Sequence, residues 1–171
     1  MYRNLCCYCE SEVGTVRADQ IEHRRPVDLF PQHVFDWENL HLGCGACNGH
    51  KSAKWDAANP ILDAVADVPI TDHLDYGMSE TGVRRIFLTP RGHTTEQHAD
   101  LNRERLRHAR GFVLQGVLAA ILAIRNRLDI DPSDIEAANR RHELEDKRVG
   151  PYGSLIQWAI ETWLDPYVPA V

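Results

Sequence analysis

Apolar residues recur at steps of three and four in the C-terminal half of the chain, which is the spacing of an amphipathic helix. From Thr94 onward the apolar positions are Leu101, Leu106, Phe112, Val113, Val117, Ala120, Ile121 and Ile124. Threonine is a good helix cap, and glycine weakens a helix interior. We therefore predict one long helix that is capped by Thr94 and Thr95 and broken near Gly111.

Two more helices are predicted after this one. Asp131-Pro132-Ser133 places a proline in a first helical turn, and Gly150-Pro151 ends the helix that begins there. The last helix carries a dense set of apolar side chains, namely Leu155, Ile156, Trp158, Ala159, Ile160, Trp163 and Leu164. We expect the helices to form the main hydrophobic core, with the two tryptophans in it; the alternative is a C-terminal helix that docks a partner.

The stretch before Thr94 has a different pattern. Pro60 and Pro69 interrupt residues 59–82, which indicates a connector that wraps the core and not a helix. Residues 83–88 then predict a short strand, which Pro90 and Gly92 end.

Composition and charge limit the possible functions. With 171 residues and 43% hydrophobic content, the chain can bury one core or form a small domain with a helical extension. The longest apolar run, residues 112–124, is too short to span a membrane, and residues 1–5 lack the apolar region of a signal peptide. We therefore expect a cytoplasmic protein without a membrane segment.

The formal net charge of −6 excludes a positive field over the whole molecule, so phosphate contacts must come from local clusters. Arg103, Arg107 and Arg110 fall on one helix face and are candidates for such a cluster. The competing interpretation is a solvated face whose arginines pair with Asp100 and Glu104.

All five cysteines lie before residue 48. Cys6 and Cys9 form one Cys-x-x-Cys knuckle and Cys44 and Cys47 form another, which together supply the four thiolates of a structural zinc site. Four thiolates saturate zinc, so these ligands are predicted to have no catalytic role. Cys7 is left over, and four reduced cysteines without metal are the alternative.

Three motifs lie between and beside the knuckles, and they read Ile21-Glu22-His23-Arg24-Arg25-Pro26, Phe35-Asp36-Trp37-Glu38-Asn39-Leu40 and Cys44-Gly45-Ala46-Cys47-Asn48-Gly49-His50-Lys51. In their order and spacing they resemble the HNH (ββα-metal) endonucleases. They are most similar to the PtuB-type branch of the Septu and retron-linked anti-phage systems. One departure is Val27, where that branch suggests a lysine.

The resemblance implies an α+β fold. Residues 1–59 would form a zinc-pinned, treble-clef-like ββα-metal core, and residues 60–171 a connector, a short strand and a helical region packed on it. The implied activity is metal-dependent hydrolysis of phosphodiester bonds in DNA, as the nuclease of a bacterial defence system that acts with a PtuA-like ATPase partner.

The catalytic roles follow from the same resemblance. An imidazole with a pKa near neutrality suits His23 as general base, and hard oxygen ligands from Glu22 and Asn48 suit Mg²⁺ or Mn²⁺. Asn39 is expected to brace the loop that carries His23 rather than to bind metal. His50 is the alternative to Asn48 as ligand. Because neighbouring strand residues point to opposite faces, Glu22 and His23 share a site only if the backbone bends there.

Three basic residues, Arg24, Arg25 and Lys51, are predicted to contact nucleic-acid phosphate. Two other functions remain open on sequence grounds. One is a non-catalytic zinc module that binds nucleic acid or protein, and the other is a stand-alone restriction or homing-type nuclease.

Overall fold

Small antiparallel sheets and helices build an α+β structure, as predicted. The computed structural model describes residues 3–14 and 19–167. Residues 1–2, 15–18 and 168–171, which belong to the two predicted segments, lie outside the described residues. Strand β1 (Asp19–His23) pairs antiparallel with β2 (Leu40–Cys44), and helix α1 (Gly45–Lys51) follows β2 directly. This part of the chain therefore has the predicted hairpin-and-helix order.

A second hairpin lies in the region after residue 59. Strand β3 (Leu74–Ser79) pairs antiparallel with β4 (Gly82–Phe87), so the strand predicted at residues 83–88 is confirmed to within one residue. Its partner β3 was not predicted, because Pro60 and Pro69 made the whole stretch resemble a connector. The hairpin turn needs a glycine at position 82, where φ is 112°.

Four helices follow, and they are α2 (Pro90–Ala99), α3 (Glu104–Ile130), α4 (Ile135–Asp146) and α5 (Gly153–Trp163). The break in the predicted long helix comes at Asp100, whose φ of 47° is left-handed, and α3 continues through Gly111. The prediction of a break at Gly111 is therefore wrong. Helix α4 starts later than predicted because Asp134 caps it, and its α-helical part ends at Asp146, before Gly150.

The predicted caps Thr94 and Thr95 lie inside α2 instead. The hydroxyl of Thr89 caps this helix by accepting a hydrogen bond from the Gly92 N–H at 3.1 Å. The Thr95 hydroxyl donates to the carbonyl of Arg91 at 2.8 Å, four residues back, as threonines within helices do.

Two hydrophobic clusters hold the fold together. The first joins α3, α4, α5 and the second hairpin, and Trp158 and Trp163 pack against it with ring centroids 4.9 Å apart. Their prediction as core residues is confirmed, although both are only partly buried. The second cluster combines the two cysteine knuckles with Ile61 of the connector, Leu101 of the link between α2 and α3, and Leu106 of α3.

Polar contacts also tie the first knuckle to the C-terminal helix. The Arg85 guanidinium donates to Glu10 at 2.8 Å, and the other Glu10 carboxylate oxygen accepts from the Ser154 N–H at 2.9 Å. Arg85 is only 4% exposed, so this ion pair is largely shielded from water. The N-terminal segment and the helical region are thus packed together.

Helix α3 is long and apolar enough to cross a membrane by length and composition, although the apolar run inside it is shorter. A core helix passes the same test. One face of α3 is buried in the first cluster through Leu114, Val117, Ile121 and Ile124. This packing accounts for the apolar residues on that face, whereas Phe112, Leu122 and Ile130 are exposed.

Candidate metal centre and catalytic site

The four predicted zinc ligands meet at one point. The sulfur atoms of Cys6, Cys9, Cys44 and Cys47 lie within 4.8 Å of one another, and all four residues are buried. Zinc–sulfur bonds of about 2.3 Å in a tetrahedron require roughly 3.8 Å between sulfurs, and Cys9 and Cys44 Sγ are 3.9 Å apart. The cluster therefore fits a zinc ion, and Cys7 is not part of it.

Local backbone geometry places the thiols. In the first knuckle, the Glu10 N–H returns to the Cys6 carbonyl at 3.0 Å, and Glu10 adopts a left-handed φ of 60°. In the second, Cys44 is the N-cap of α1, and its sulfur accepts from the Cys47 N–H at 3.5 Å. The metal site thus joins the start of the segment to the start of α1.

Arginines of the helical region line the far side of this cluster. Arg103 donates to the Cys47 sulfur at 3.4 Å, and Arg110 is 0% exposed and donates to the Leu101 carbonyl at 2.7 Å. The Nε of Arg107 is buried as well. For Arg103 and Arg110, both interpretations, a nucleic-acid contact and a solvated surface, are wrong, because these two side chains contact Cys47 and the Leu101 carbonyl.

Replacing Arg103 by glutamine should speed zinc release. A tetrathiolate zinc carries excess negative charge, and the Arg103 guanidinium is the cation that touches it; two carbonyls, of Ala99 and Asp100, hold that guanidinium in place. Outer-shell changes of this kind alter metal affinity by about 10–100-fold. Chelator competition with a chromogenic zinc dye measures it, and the exposed Arg140→Gln serves as control. Equal release by both variants would contradict the contact's importance.

Glu22 occupies the inner face of the first hairpin, beneath α1. It is 0% exposed; its Oε1 lies 2.6 Å from the Lys51 ammonium and accepts from the Tyr8 hydroxyl at 3.0 Å. Burial raises the pKa of this carboxyl, whereas Lys51 and Tyr8 act in the opposite direction. Its second oxygen, Oε2, is buried without a hydrogen-bond partner, so it retains a lone pair for a ligand.

Asn48 and Glu22 approach each other across Gly43. A Cβ at position 43 would meet the Glu22 Cβ at 3.1 Å and the Asn48 Cβ at 3.9 Å, so a glycine leaves space between the strand and the helix. The Asn48 amide nitrogen donates to Gln20 Oε1 at 2.9 Å. The Cβ atoms of the two predicted ligands of a catalytic ion therefore both lie near Gly43, on two different elements.

His23, the last residue of β1, has different surroundings from its neighbour Glu22. Its ring is partly buried, and Nε2 lies 3.0 Å from the Val34 carbonyl in the loop of residues 24–39. A carbonyl only accepts, so Nε2 carries the proton and Nδ1 is the basic nitrogen of the neutral ring. The His23 carbonyl accepts from the Lys51 ammonium at 2.6 Å, which links the ends of β1 and α1.

Asn39 holds the loop that positions His23. Its amide nitrogen donates to the carbonyls of Arg25 and His33 at 3.2 and 3.0 Å, and its oxygen accepts from the Arg25 N–H at 2.7 Å. These contacts give Asn39 the bracing geometry that was expected of it.

Not all of the side chains that were predicted to contact phosphate face the solvent. Lys51 is 1% exposed and lies on Glu22. Arg24 pairs with Asp63 at 3.3 Å, while the Arg25 guanidinium contacts His33 Nε2 at 3.1 Å. In this arrangement, Lys51 neutralises a buried carboxylate instead of facing a nucleic acid, because the helix directs its side chain into the hairpin.

His50, the alternative ligand, lies on the other side of α1. Its Nε2 is 3.5 Å from the Asp100 carboxylate at the end of α2, and its side chain is 45% exposed. This places it toward α2, whereas Glu22 lies between the hairpin and α1.

Two residues of the site were given no role on sequence grounds. Tyr8 donates to Glu22, and Gly43 makes room for Glu22 and Asn48. Tyr8 was visible only as part of the Cys-x-Tyr-Cys pattern, and a lone glycine before a cysteine has no distinctive signal.

Comparison with known proteins gives one informative match. The chain is similar to the Septu protein PtuB of Bacillus thuringiensis, with 34% identity over 70 residues. These residues are 40% of this chain and 27% of that protein, so the chain spans about a quarter of the relative's length in the match. The similarity to PtuB predicted from the motifs is confirmed over this part. No family model matches the chain, and no solved structure matches it.

Proposed function

We propose that this chain is a metal-dependent HNH endonuclease that hydrolyses phosphodiester bonds in DNA and works in anti-phage defence. The observation that carries the proposal is the closeness of the Glu22 and Asn48 Cβ atoms to Gly43. The pairing of β1 with β2 and the direct passage from β2 into α1 bring the two elements that bear them together. The similarity to PtuB supports the biological setting.

His23 acts as the general base in this proposal. The Val34 carbonyl holds the ring through Nε2, so Nδ1 accepts a proton from the attacking water. Asn39 keeps that carbonyl in place by fixing the loop. The orientation of the base therefore depends on the loop of residues 24–39 as well as on β1.

Glu22 and Asn48 would hold a divalent ion such as Mg²⁺ or Mn²⁺, which when bound stabilises charge on the scissile phosphate and the leaving oxygen. The partnerless Oε2 of Glu22 and the amide oxygen of Asn48 are hard donors that fit such an ion. The Lys51 ammonium already balances the carboxylate charge. An ion at this position therefore shares Glu22 with Lys51 or displaces it.

A partner ATPase of the PtuA type and a cytoplasmic location complete the proposal. The net charge of −6 gives the chain little general affinity for nucleic acid. A partner that recruits the chain to DNA would raise its local concentration there, which the chain's own charge does not do. A cytoplasmic location suits a cluster of four free thiols, because a reducing environment protects them from disulfide formation.

The His23→Ala variant should lose plasmid nicking in Mg²⁺ or Mn²⁺ by about 10²–10⁴-fold, the usual contribution of a general base. His142→Ala is the matched control, since its side chain is 76% exposed on α4. Zinc content and circular dichroism confirm that all three proteins are folded. Equal nicking by wild type and His23→Ala would contradict the assignment of the base.

A non-catalytic zinc module is the second candidate function, and the buried Glu22–Lys51 pair favours it. A carboxylate that is already neutralised can serve structure alone. This candidate predicts full zinc content and no Mn²⁺ binding at Glu22, which electron paramagnetic resonance measures directly. Mn²⁺ binding that is lost in Asn48→Ala would rule it out in favour of the nuclease.

A further inference from the structure

The loop that holds His23 presents unusually exposed aromatic residues. Phe35 is 89% exposed and Trp37 is 77% exposed. The loop is nevertheless well fixed, because the Asn39 side chain makes three hydrogen bonds within it and His33 bonds Asp36 at 2.5 Å. Large aromatic side chains held rigidly in water contribute little to folding, and such positions mark binding surfaces.

Trp37 lines two cavities. One has a volume of about 370 Å³ and the other about 340 Å³, and both are also lined by Leu40 and His41. The indole therefore borders both concave sites. A flat ring that borders two cavities is suited to ligands that are themselves flat rings, since offset stacking buries both faces.

Carboxylates are prominent among the polar groups around these cavities. Glu38 and Asp63 line the first cavity, and Asp19 and Gln20 line the second. The carboxylates repel phosphate but accept hydrogen bonds from exocyclic amino groups, as Glu and Asp do from cytosine N4. The bases that carry such groups are adenine, cytosine and guanine, whereas thymine has none.

The cavities adjoin the proposed catalytic base. Leu40, which lines both of them, is the cross-strand partner of His23. Phe35 directly follows Val34, whose carbonyl holds the His23 ring. A base stacked on Trp37 would thus belong to a nucleotide close to the phosphate at His23.

We propose that Trp37 is a stacking platform that binds amino-bearing nucleobases of single-stranded or locally unpaired nucleic acid beside His23. The proposal rests on the proposed nuclease function and specifies its substrate. Bases within a duplex are stacked on each other and cannot also stack on an indole, so the strand must be unpaired at this point.

The test is the equilibrium binding of fluorescein-labelled dC12 and dT12 to the full chain, followed by anisotropy without added divalent ion. Both oligonucleotides are pyrimidine strands of equal charge, so their difference isolates the amino group. The variants are Trp37→Ala and Trp37→Phe, and Phe112→Ala on α3, 79% exposed, is the control.

We expect wild type to bind dC12 more tightly than dT12. Trp37→Ala should weaken dC12 binding by roughly five- to 150-fold, the range for loss of one base–aromatic stack. Trp37→Phe should retain most of the affinity, because phenylalanine also offers a ring face. Phe112→Ala should bind as wild type does.

Unchanged dC12 binding by Trp37→Ala would overturn the proposal and leave a protein partner as the occupant of this surface. Absence of dC12 binding by wild type, or equal affinity for dC12 and dT12, would overturn it too. The assay involves no cleavage. Trp37-dependent binding together with failure to nick DNA would therefore sink the nuclease proposal while this binding site remained.

Discussion

Replacing Cys47 by serine will abolish zinc binding and unfold the N-terminal segment, whereas the same change at Cys7 will preserve both. The four clustered sulfurs are the only group of this kind among the described residues, and Cys7 lies outside it. Structural zinc contributes on the order of 10–16 kcal/mol in small zinc domains. Since whole domains are stable by about 5–15 kcal/mol, loss of the site exceeds what the fold can absorb.

Zinc content by mass spectrometry and thermal unfolding by circular dichroism test this prediction. Wild type and Cys7→Ser should each hold one zinc per chain and unfold at the same temperature. Cys47→Ser should hold no zinc. The second hydrophobic cluster includes the knuckles together with Leu101 and Leu106. Unfolding should therefore spread into the helical region, and a Cys47→Ser protein with the wild-type melting temperature would refute a structural role for the metal.

The zinc site and the hairpin-and-helix order could be predicted because each depends on short motifs. Two Cys-x-x-Cys turns fix their own ligand geometry, and the strand–helix order is what the resemblance to the HNH endonucleases implies. The structure brings the four cysteines together and shows the hairpin followed by the helix. The strand at residues 83–88 was predictable for a similar reason, since its apolar pattern is local.

Contacts between distant segments could not be predicted in this way. The spacing of Arg103, Arg107 and Arg110 shows that they share a helix face but not what covers it. Cys47 of the second knuckle, 56 residues earlier in the chain, contacts Arg103, and Arg110 is fully buried. The helix break at Asp100 was also not predicted. Glycine is the usual sequence signal of a left-handed residue, and an aspartate such as Asp100 is a much weaker signal than Gly111.

Lys51 shows the same limit within the candidate site. Its place in the motif implied a phosphate contact, yet its burial depends on the depth of the hairpin beneath α1. Sequence spacing gives the face on which Glu22 and Lys51 lie, but not whether water reaches them. Their exclusion from water makes the removal of one partner costly, because the other charge is then buried without compensation.

The variant Lys51→Met should therefore be less stable than wild type by about 3–5 kcal/mol at pH 8, because it leaves the Glu22 carboxylate buried without its cation. Glu22 is 0% exposed and 2.6 Å from the ammonium, so no water can replace Lys51 without rearrangement. The double variant Glu22→Gln, Lys51→Met should recover most of the loss, since Tyr8 can still donate to the new amide oxygen. Urea unfolding of the four proteins, including Glu22→Gln alone, forms a complete double-mutant cycle.

The pH dependence of the single variant separates buried charge from simple loss of packing. Burial already raises the pKa of Glu22, and loss of Lys51 removes a cation that lowers it. A carboxyl whose pKa is raised on folding contributes most to the free energy of unfolding below its unfolded pKa. This contribution is lost as pH rises toward the folded pKa. The deficit of Lys51→Met relative to wild type should hence shrink from pH 8 to pH 5. The double variant has no carboxyl at position 22, so its difference in stability from wild type should change much less over this range. If Lys51→Met instead shows a deficit of equal size at both pH values, lost packing and not the buried charge is responsible.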